Sequence, residues 1–199
     1  MIYLSNIAHI IVGPILARYK VVPSYKQIFT YKALSLKAFS ENALYDDSYN
    51  EIFLSKQKIK DDFILQKNDV LMRLRSPNFA IFVDRDYKDT VYPSFVASIR
   101  IKDVNFYPKF IAYFLNSSKV QKSLIKETSG TRIEMIKASD VGKIPIPNIP
   151  LQKQKQIIDF MDMANKEVMF LKTLIDVKNN YKKSIFDVFL QKLNKGESL

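Results

Sequence analysis

Residues Lys143–Ile158 read K-I-P-I-P-N-I-P-L-Q-K-Q-K-Q-I-I, and the reading of the whole chain turns on them. Pro145, Pro147 and Pro150 exclude a helix from the first half, because proline has no amide proton and drives its predecessor into extended backbone. Beyond Pro150 the apolar spacing becomes helical and stays so for about forty residues. The stretch is therefore a hinge. It separates a compact domain, expected over residues 1–148, from one long helix, expected over 149–199.

Downstream of the hinge, Ile157, Met161, Ala164, Val168, Leu171 and Ile175 recur at alternating steps of four and three, the seam of a coiled coil. The seam loses phase at Lys178-Asn179-Asn180 and is expected to resume with Tyr181, Ile185 and Val188. A three-residue slip of this kind locally overwinds a coiled coil. At 1.5 Å per residue such a helix is a rod of about 60 Å. Its apolar ridge is too long for the preceding domain to cover, so a partner helix is expected, and a homodimer supplies one.

Upstream, the chain reads as short strands and small helices, an α+β domain with a mixed sheet. Leu4–Gly13 is expected to be one strand ending at the glycine, with further extended segments at Ile28–Leu36, Glu51–Leu54, Ala80–Val83 and Phe95–Ile101. Val70–Arg75 alternates Val70, Met72 and Leu74 with Leu71, Arg73 and Arg75, which predicts a strand presenting both arginines on one face. Pro108 opens a helix carrying Phe110, Ile111, Phe114 and Leu115, and a second runs from Lys119 to Glu127.

Net charge is +11 and the pI about 9.6, which favours a polyanionic partner. All six arginines precede the hinge, while the helix uses lysine only. Arginine's planar fork grips guanine edges and phosphates in two places, whereas lysine acts as a point charge. The candidate nucleic-acid contacts follow from this chemistry. Arg18, Tyr19, Lys20 and Lys26 interleave cations with rings that can stack, and Arg73, Arg75, Ser76 and Asn78 gather at a strand end and turn. Ser129, Gly130, Thr131 and Arg132 form a polar loop suited to phosphate and base edges, and Lys137 is a phosphate anchor.

Catalytic chemistry finds no support. There are no cysteines, which excludes thiolate metal sites and cysteine nucleophiles and fits a reducing cytoplasm. The single histidine, His9, sits in an apolar run and is expected in the core or a sheet. No glycine-rich phosphate loop occurs among only four glycines. Asp84, Asp86 and Asp89 lack the ligand number and turn glycine of a calcium loop, so neither metal nor cofactor is expected. The apolar run Ile7–Leu16 contains Gly13 and Pro14 and is too short to span a bilayer, and it lacks a basic leader, so a soluble, unexported protein is expected.

The chain resembles one half of the specificity subunit of type I restriction–modification enzymes. The likeness is carried by Leu4-Ser5-Asn6-Ile7-Ala8 to Gly13, Asn68-Asp69-Val70-Leu71, Pro93-Ser94-Phe95-Val96 with Ile99-Arg100-Ile101, Pro108 to Leu115, and Ser129-Gly130-Thr131. Most specific is Ile144–Leu151 before a glutamine-rich helix start, where Asn148-Ile149-Pro150 and Lys153-Gln154 replace the family's usual Pro-Pro and Glu-Gln. The resemblance implies a non-catalytic, DNA-binding subunit with a target recognition domain and a long spacer helix, acting in phage defence. Its implied partners are double-stranded DNA, methyltransferase (M) subunits and the restriction (R) subunit. A complete subunit of that family has two recognition domains and two helices. Two copies of this chain with antiparallel helices would rebuild that arrangement and read a palindromic, interrupted target. The alternative is an interaction protein that mimics half a specificity subunit without reading DNA.

Overall fold

The structure is a computed structural model and describes residues 1–22, 27–39, 43–128 and 135–194. The chain opens with β1 (Ile2–Tyr3), a single helical turn α1 (Leu4–Ile7) and β2 (Ala8–Val12). Leu4–Gly13 is thus not one strand. Tyr3 N–H donates to Asn6 Oδ1 at 2.8 Å, which turns the chain into α1, and Leu4 and Ile7 are buried by that turn. Gly13 then lies so close to the next layer that a Cβ would sit 2.4 Å from the carbonyl oxygens of Tyr92 and Pro93, so only glycine fits.

The domain continues through β3 (Phe29–Ala33), β4 (Glu51–Ser55), β5 (Val70–Arg73), β6 (Ala80–Phe82), β7 (Thr90–Val91) and β8 (Val96–Ile101). Helices α2 (Pro108–Leu115), α3 (Ser118–Thr128) and α4 (Ala138–Gly142) follow, then β9 (Pro145–Ile146) and α5 (Leu151–Asn194). One sheet is antiparallel in the order β2-β8-β5-β6; a second, β4-β3-β7, is mixed, with β3 and β7 parallel. A small antiparallel pair joins β1 to β9, so the first residues of the chain close on the proline-rich hinge. The fold is α+β, with mixed sheets, small helices and a long C-terminal helix.

The core explains why β5 carries no simple alternation. Val70, Leu71 and Met72 are all fully buried. Leu71 joins a cluster with Leu34, Leu65, Ile81, Tyr92 and Val96 on one side of the sheet, while α2 packs on β5 and β6. A strand covered on both faces needs apolar residues at consecutive positions. His9, by contrast, is exposed on β2, opposite Arg100 of β8.

Arg100 clips the sheet to the loop beside it. Its Nε donates to Asp69 Oδ1 at 3.0 Å, and its Nη2 donates to the carbonyls of Ile64 (3.0 Å) and Asp62 (3.1 Å). Burial raises the Asp69 carboxyl above the ordinary carboxylate range, with Arg100 the chief opposing influence. Burial likewise pushes the nearby Tyr92 phenol up to about 12.

Chain contacts divide the protein into two compact units, Met1–Gln156 and Ile157–Leu199. The first turn of α5 therefore belongs to the first unit. There Gln154, with no exposed surface, accepts a hydrogen bond from Tyr107 N–H (2.8 Å) and donates to the carbonyls of Asn105 (2.9 Å) and Ile149 (2.7 Å). Among the described residues, no helix is long and apolar enough to cross a membrane.

Replacing Arg100 by leucine strands a buried carboxylate. Arg100→Leu is expected to lower unfolding stability by about 3–5 kcal/mol, read from urea denaturation. A loss under about 1 kcal/mol would mean that the pair is dispensable.

Candidate nucleic-acid interface

The end of β5 is shaped by its partners on three sides. Arg73 N–H donates to Phe79 O, and Leu74 N–H donates to Phe95 O. Beyond the strand, Ile136 N–H donates to Leu74 O at 2.9 Å, and Arg75 bridges to Met135 in antiparallel register. Leu74 and Ile136 point inward and are buried. Because side chains alternate across an extended pair, Arg73, Arg75, Met135 and Lys137 share its outer side. Lys137 stands opposite Arg73 in this register, a juxtaposition of residues sixty-four positions apart that no local pattern in the sequence reveals.

The arginines on this face are held by a carbonyl and a ring rather than by a counter-charge among the described residues. Arg73 Nη2 donates to Ser76 O at 2.9 Å, while its Nε is buried without a hydrogen-bond partner. Partial burial, and then the neighbouring Arg75 charge, lower the Arg73 pKa. Arg75 is exposed and lies over the Phe95 ring, 5.8 Å from its centroid. Neither arginine meets a carboxylate among the described residues. The contrast with the other arginines is instructive. Arg100 is spent on Asp69 inside the domain, and Arg85 lies 3.7 Å from Asp47 and 5.0 Å from the Tyr87 ring centroid.

Other residues named from the sequence fall into four groups. Ser76 is exposed in the turn after β5, at a cis Ser76–Pro77 bond. Arg18 and Lys20 are exposed on a separate segment beside β4, where Lys20 bridges to Ser55 and Tyr19 O accepts from Lys56 N–H; Tyr19 itself packs against Tyr31, Ile59 and Val91. Lys26, Ser129, Gly130, Thr131 and Arg132 lie outside the described residues. Asn78 is a correction: it is only 3% exposed, and its Nδ2 donates to Arg73 O. Gln121 Nε2 on α3 donates in turn to Asn78 O at 3.0 Å, so this residue braces the turn from inside. No group of three or more His, Asp or Glu that could hold a metal ion occurs among the described residues.

Helix α5 presents a different surface. With 3.6 residues per turn, Ile157, Met161, Ala164, Val168, Leu171 and Ile175 form one stripe along it. Phe160, Met163, Phe170, Leu174, Val177, Tyr181 and Val188 form a second, about a third of a turn away. The expected resumption of the first seam at Tyr181, Ile185 and Val188 is therefore revised. The helix runs unbroken through Lys178-Asn179-Asn180, so Tyr181 and Val188 fall on the second stripe and Ile185 nearer to it. The first stripe resumes instead in Phe186, Phe189 and Leu190. Both stripes are largely bare: Leu171 and Ile175 of the first are 53% and 59% exposed, Phe160 and Phe170 of the second 65% and 67%.

Residues 24–188 match the family described as the type I restriction modification DNA specificity domain. Among solved structures, the chain is similar to one from work on complex assembly and conformational transition of the type I R-M system, with TM-score 0.65 and 19% identity over 96% of this chain and 44% of that one. It is also similar to the HsdS subunit of Thermoanaerobacter tengcongensis, with TM-score 0.55 and 18% identity over 86% and 38% of the two chains. The type I restriction–modification S subunit of M. genitalium gives TM-score 0.54 and 17% identity over 96% and 44%. At such identities the likeness is one of fold, and the chain spans less than half the length of each of these three. No curated protein sequence matches it.

Asn78→Ala removes an internal donor and is expected to cost about 1–3 kcal/mol of stability in chemical denaturation. A variant as stable as the parent chain would return Asn78 to the list of surface contacts.

Proposed function

The chain belongs to the family of type I restriction modification DNA specificity domains, and on that footing we propose that it reads one half of a bipartite DNA site and pairs with a second copy through α5. The observation that carries the first half of this reading is the outer face of the Leu74–Ile136 pair. Arg73, Arg75 and Lys137 share that face with no carboxylate against them among the described residues, and holding like charges together is unfavourable unless an anion arrives. The base-reading role falls to Arg75, whose exposed guanidinium is held over Phe95, with Arg73 behind it. Arg132 and Thr131 join them as candidates on chemical grounds. Lys137 and Lys20 act as phosphate anchors, with Arg18 and Lys26 alongside Lys20 in the sequence.

The second half rests on the first stripe of α5. Two antiparallel copies related by a twofold axis set Ile157 against Ile175, Met161 against Leu171 and Ala164 against Val168. Every apolar member then meets an apolar member, and small Ala164 faces branched Val168. No other helix among the described residues exceeds the 11 residues of α3, so the chain offers no internal helix of matching length. The second stripe stays open in such a pair and is the docking surface for methyltransferase subunits, which bring the restriction subunit with them. The two recognition domains face a symmetric, interrupted site, and α5 sets its spacing. The domain that reads DNA is residues 1–148, and the segment 149–199 carries the spacer helix.

Arg75→Ala is expected to weaken binding to the specific duplex by about 1–3 kcal/mol and relax preference at one base position, whereas Lys137→Ala weakens all duplexes alike and flattens the salt slope by about one unit. Selection from a duplex library followed by salt titration measures both. Equal losses for Arg75→Ala on specific and random duplexes would remove it from base reading. Failure of the parent chain to select any duplex would favour the mimic that docks proteins only.

Pairing has its own measurement. Val168→Glu with Leu171→Glu is expected to convert a dimer to a monomer in light scattering, since each charge would be buried against an apolar partner. A dimer that survives both substitutions would place the contact elsewhere.

A further inference from the structure

Arg75 is held differently from Arg73, Arg85 and Arg100. Arg100 gives its donors to Asp69 and two carbonyls, Arg85 faces Asp47 at 3.7 Å, and Arg73 gives Nη2 to Ser76 O. The Arg75 guanidinium has instead the Phe95 ring, whose centroid lies 5.8 Å from Cζ, and meets no hydrogen-bond or ion-pair partner among the described residues.

The distinction matters chemically. A guanidinium carries its N–H donors in its own plane, and those donors are what grip the N7 and O6 acceptors of a guanine edge. A carboxylate or carbonyl partner occupies them. An aromatic face attracts the cation through its quadrupole and occupies none.

The ring is itself fixed. Phe95 immediately precedes β8, its carbonyl accepts from Leu74 N–H at 2.8 Å, and its side chain packs against the core cluster that contains Leu71 and Val96. The backbone before Arg75 is pinned as well. Ile136 N–H donates to Leu74 O, and Asn78 Nδ2 donates to Arg73 O from a turn that Gln121 of α3 holds through Asn78 O. The freedom left to Arg75 is that of its own long side chain, and the ring is placed to restrict it. An arginine immobilised on binding gives up rotamer entropy, so confinement before the DNA arrives favours the bound form.

We propose that Phe95 is a positioning residue for recognition, its ring aiming Arg75 at the N7 and O6 acceptors of a guanine in the half-site. The inference rests on the DNA-reading role given to Arg75 above. Phe95 acts through Arg75 and needs no contact of its own with the DNA.

Two substitutions separate the ring from its bulk. Phe95→Leu keeps an apolar side chain on the core and removes the ring, whereas Phe95→Tyr keeps the ring. On a duplex selected by the parent chain, Phe95→Leu is expected to weaken binding about fivefold. Its binding to random duplexes and its salt slope stay those of the parent, and Phe95→Tyr binds as the parent does. In an Arg75→Ala background Phe95→Leu costs nothing further, because the two residues act as one unit. Circular dichroism checks that each variant is folded. The guanine has a measurement that needs no change at Phe95: 7-deazaguanine, which lacks the N7 acceptor, lowers the affinity of the parent chain and leaves that of Arg75→Ala unchanged. An equal loss on random duplexes, or a full loss that persists without Arg75, would make Phe95 merely structural and overturn the inference while leaving the reading of DNA intact. A selected half-site with no guanine at the position relaxed by Arg75→Ala would overturn it too. A parent chain that selects no duplex would overturn the inference and the DNA-reading role together.

Discussion

Gln154 is the point on which the two parts of the chain depend. A buried amide is tolerable only when its donors and acceptor are satisfied, and here three backbone groups satisfy it. Two of them, from Asn105 and Tyr107, lie just before α2, and the third, from Ile149, lies in the hinge. One side chain thus welds the first turn of α5 to the body of the recognition domain. The β1–β9 pair also ties the hinge to the first residues of the chain. Three prolines forbid the chain an ordinary helical continuation, and the glutamine supplies the order that backbone hydrogen bonds cannot.

Within the domain, the arginines divide by what surrounds them. Arg100 lies inside, where a carboxylate and two carbonyls make its burial tolerable. Arg85 sits on the surface against Asp47 and Tyr87. Arg73 and Arg75 have carbonyl and ring contacts but no counter-charge among the described residues. A positive surface held in place by structure, with no counter-charge among the described residues, suits a phosphate backbone. The family to which the chain belongs supplies the matching vocation.

Helix α5 poses the complementary problem. Two apolar stripes on one exposed helix are more than a single coiled-coil seam uses, and a helix with a broad apolar arc is stable in water only when neighbours cover it. The proposed antiparallel pair covers one stripe and leaves the other for further subunits. The polar section at Lys178–Lys183 separates the first stripe from Phe186, Phe189 and Leu190.

Local chemistry made much of this legible in the sequence. The prolines of the hinge, the helix after Pro150 and the helix opened by Pro108 are set by residues adjacent to one another, so periodicity and proline stereochemistry suffice to find them. Where neighbours distant in the chain decide, the sequence was silent. Leu4–Ile7 curls into a turn where Leu4 N–H is held by the Ile144 carbonyl, and β7 exists because β3 lends it a parallel partner. Asn78 had the right chemistry for a base contact, yet α3 packs over it and makes it a brace. Lys137 joined Arg73 only through the pairing of Leu74 with Ile136. By itself the sequence determined the elements, the basic character and the hungry ridge of the helix, since these depend on residue type and spacing. Only the tertiary structure decided which cations share a face and which polar groups are spent inside, because burial is a property of packing that no single segment carries.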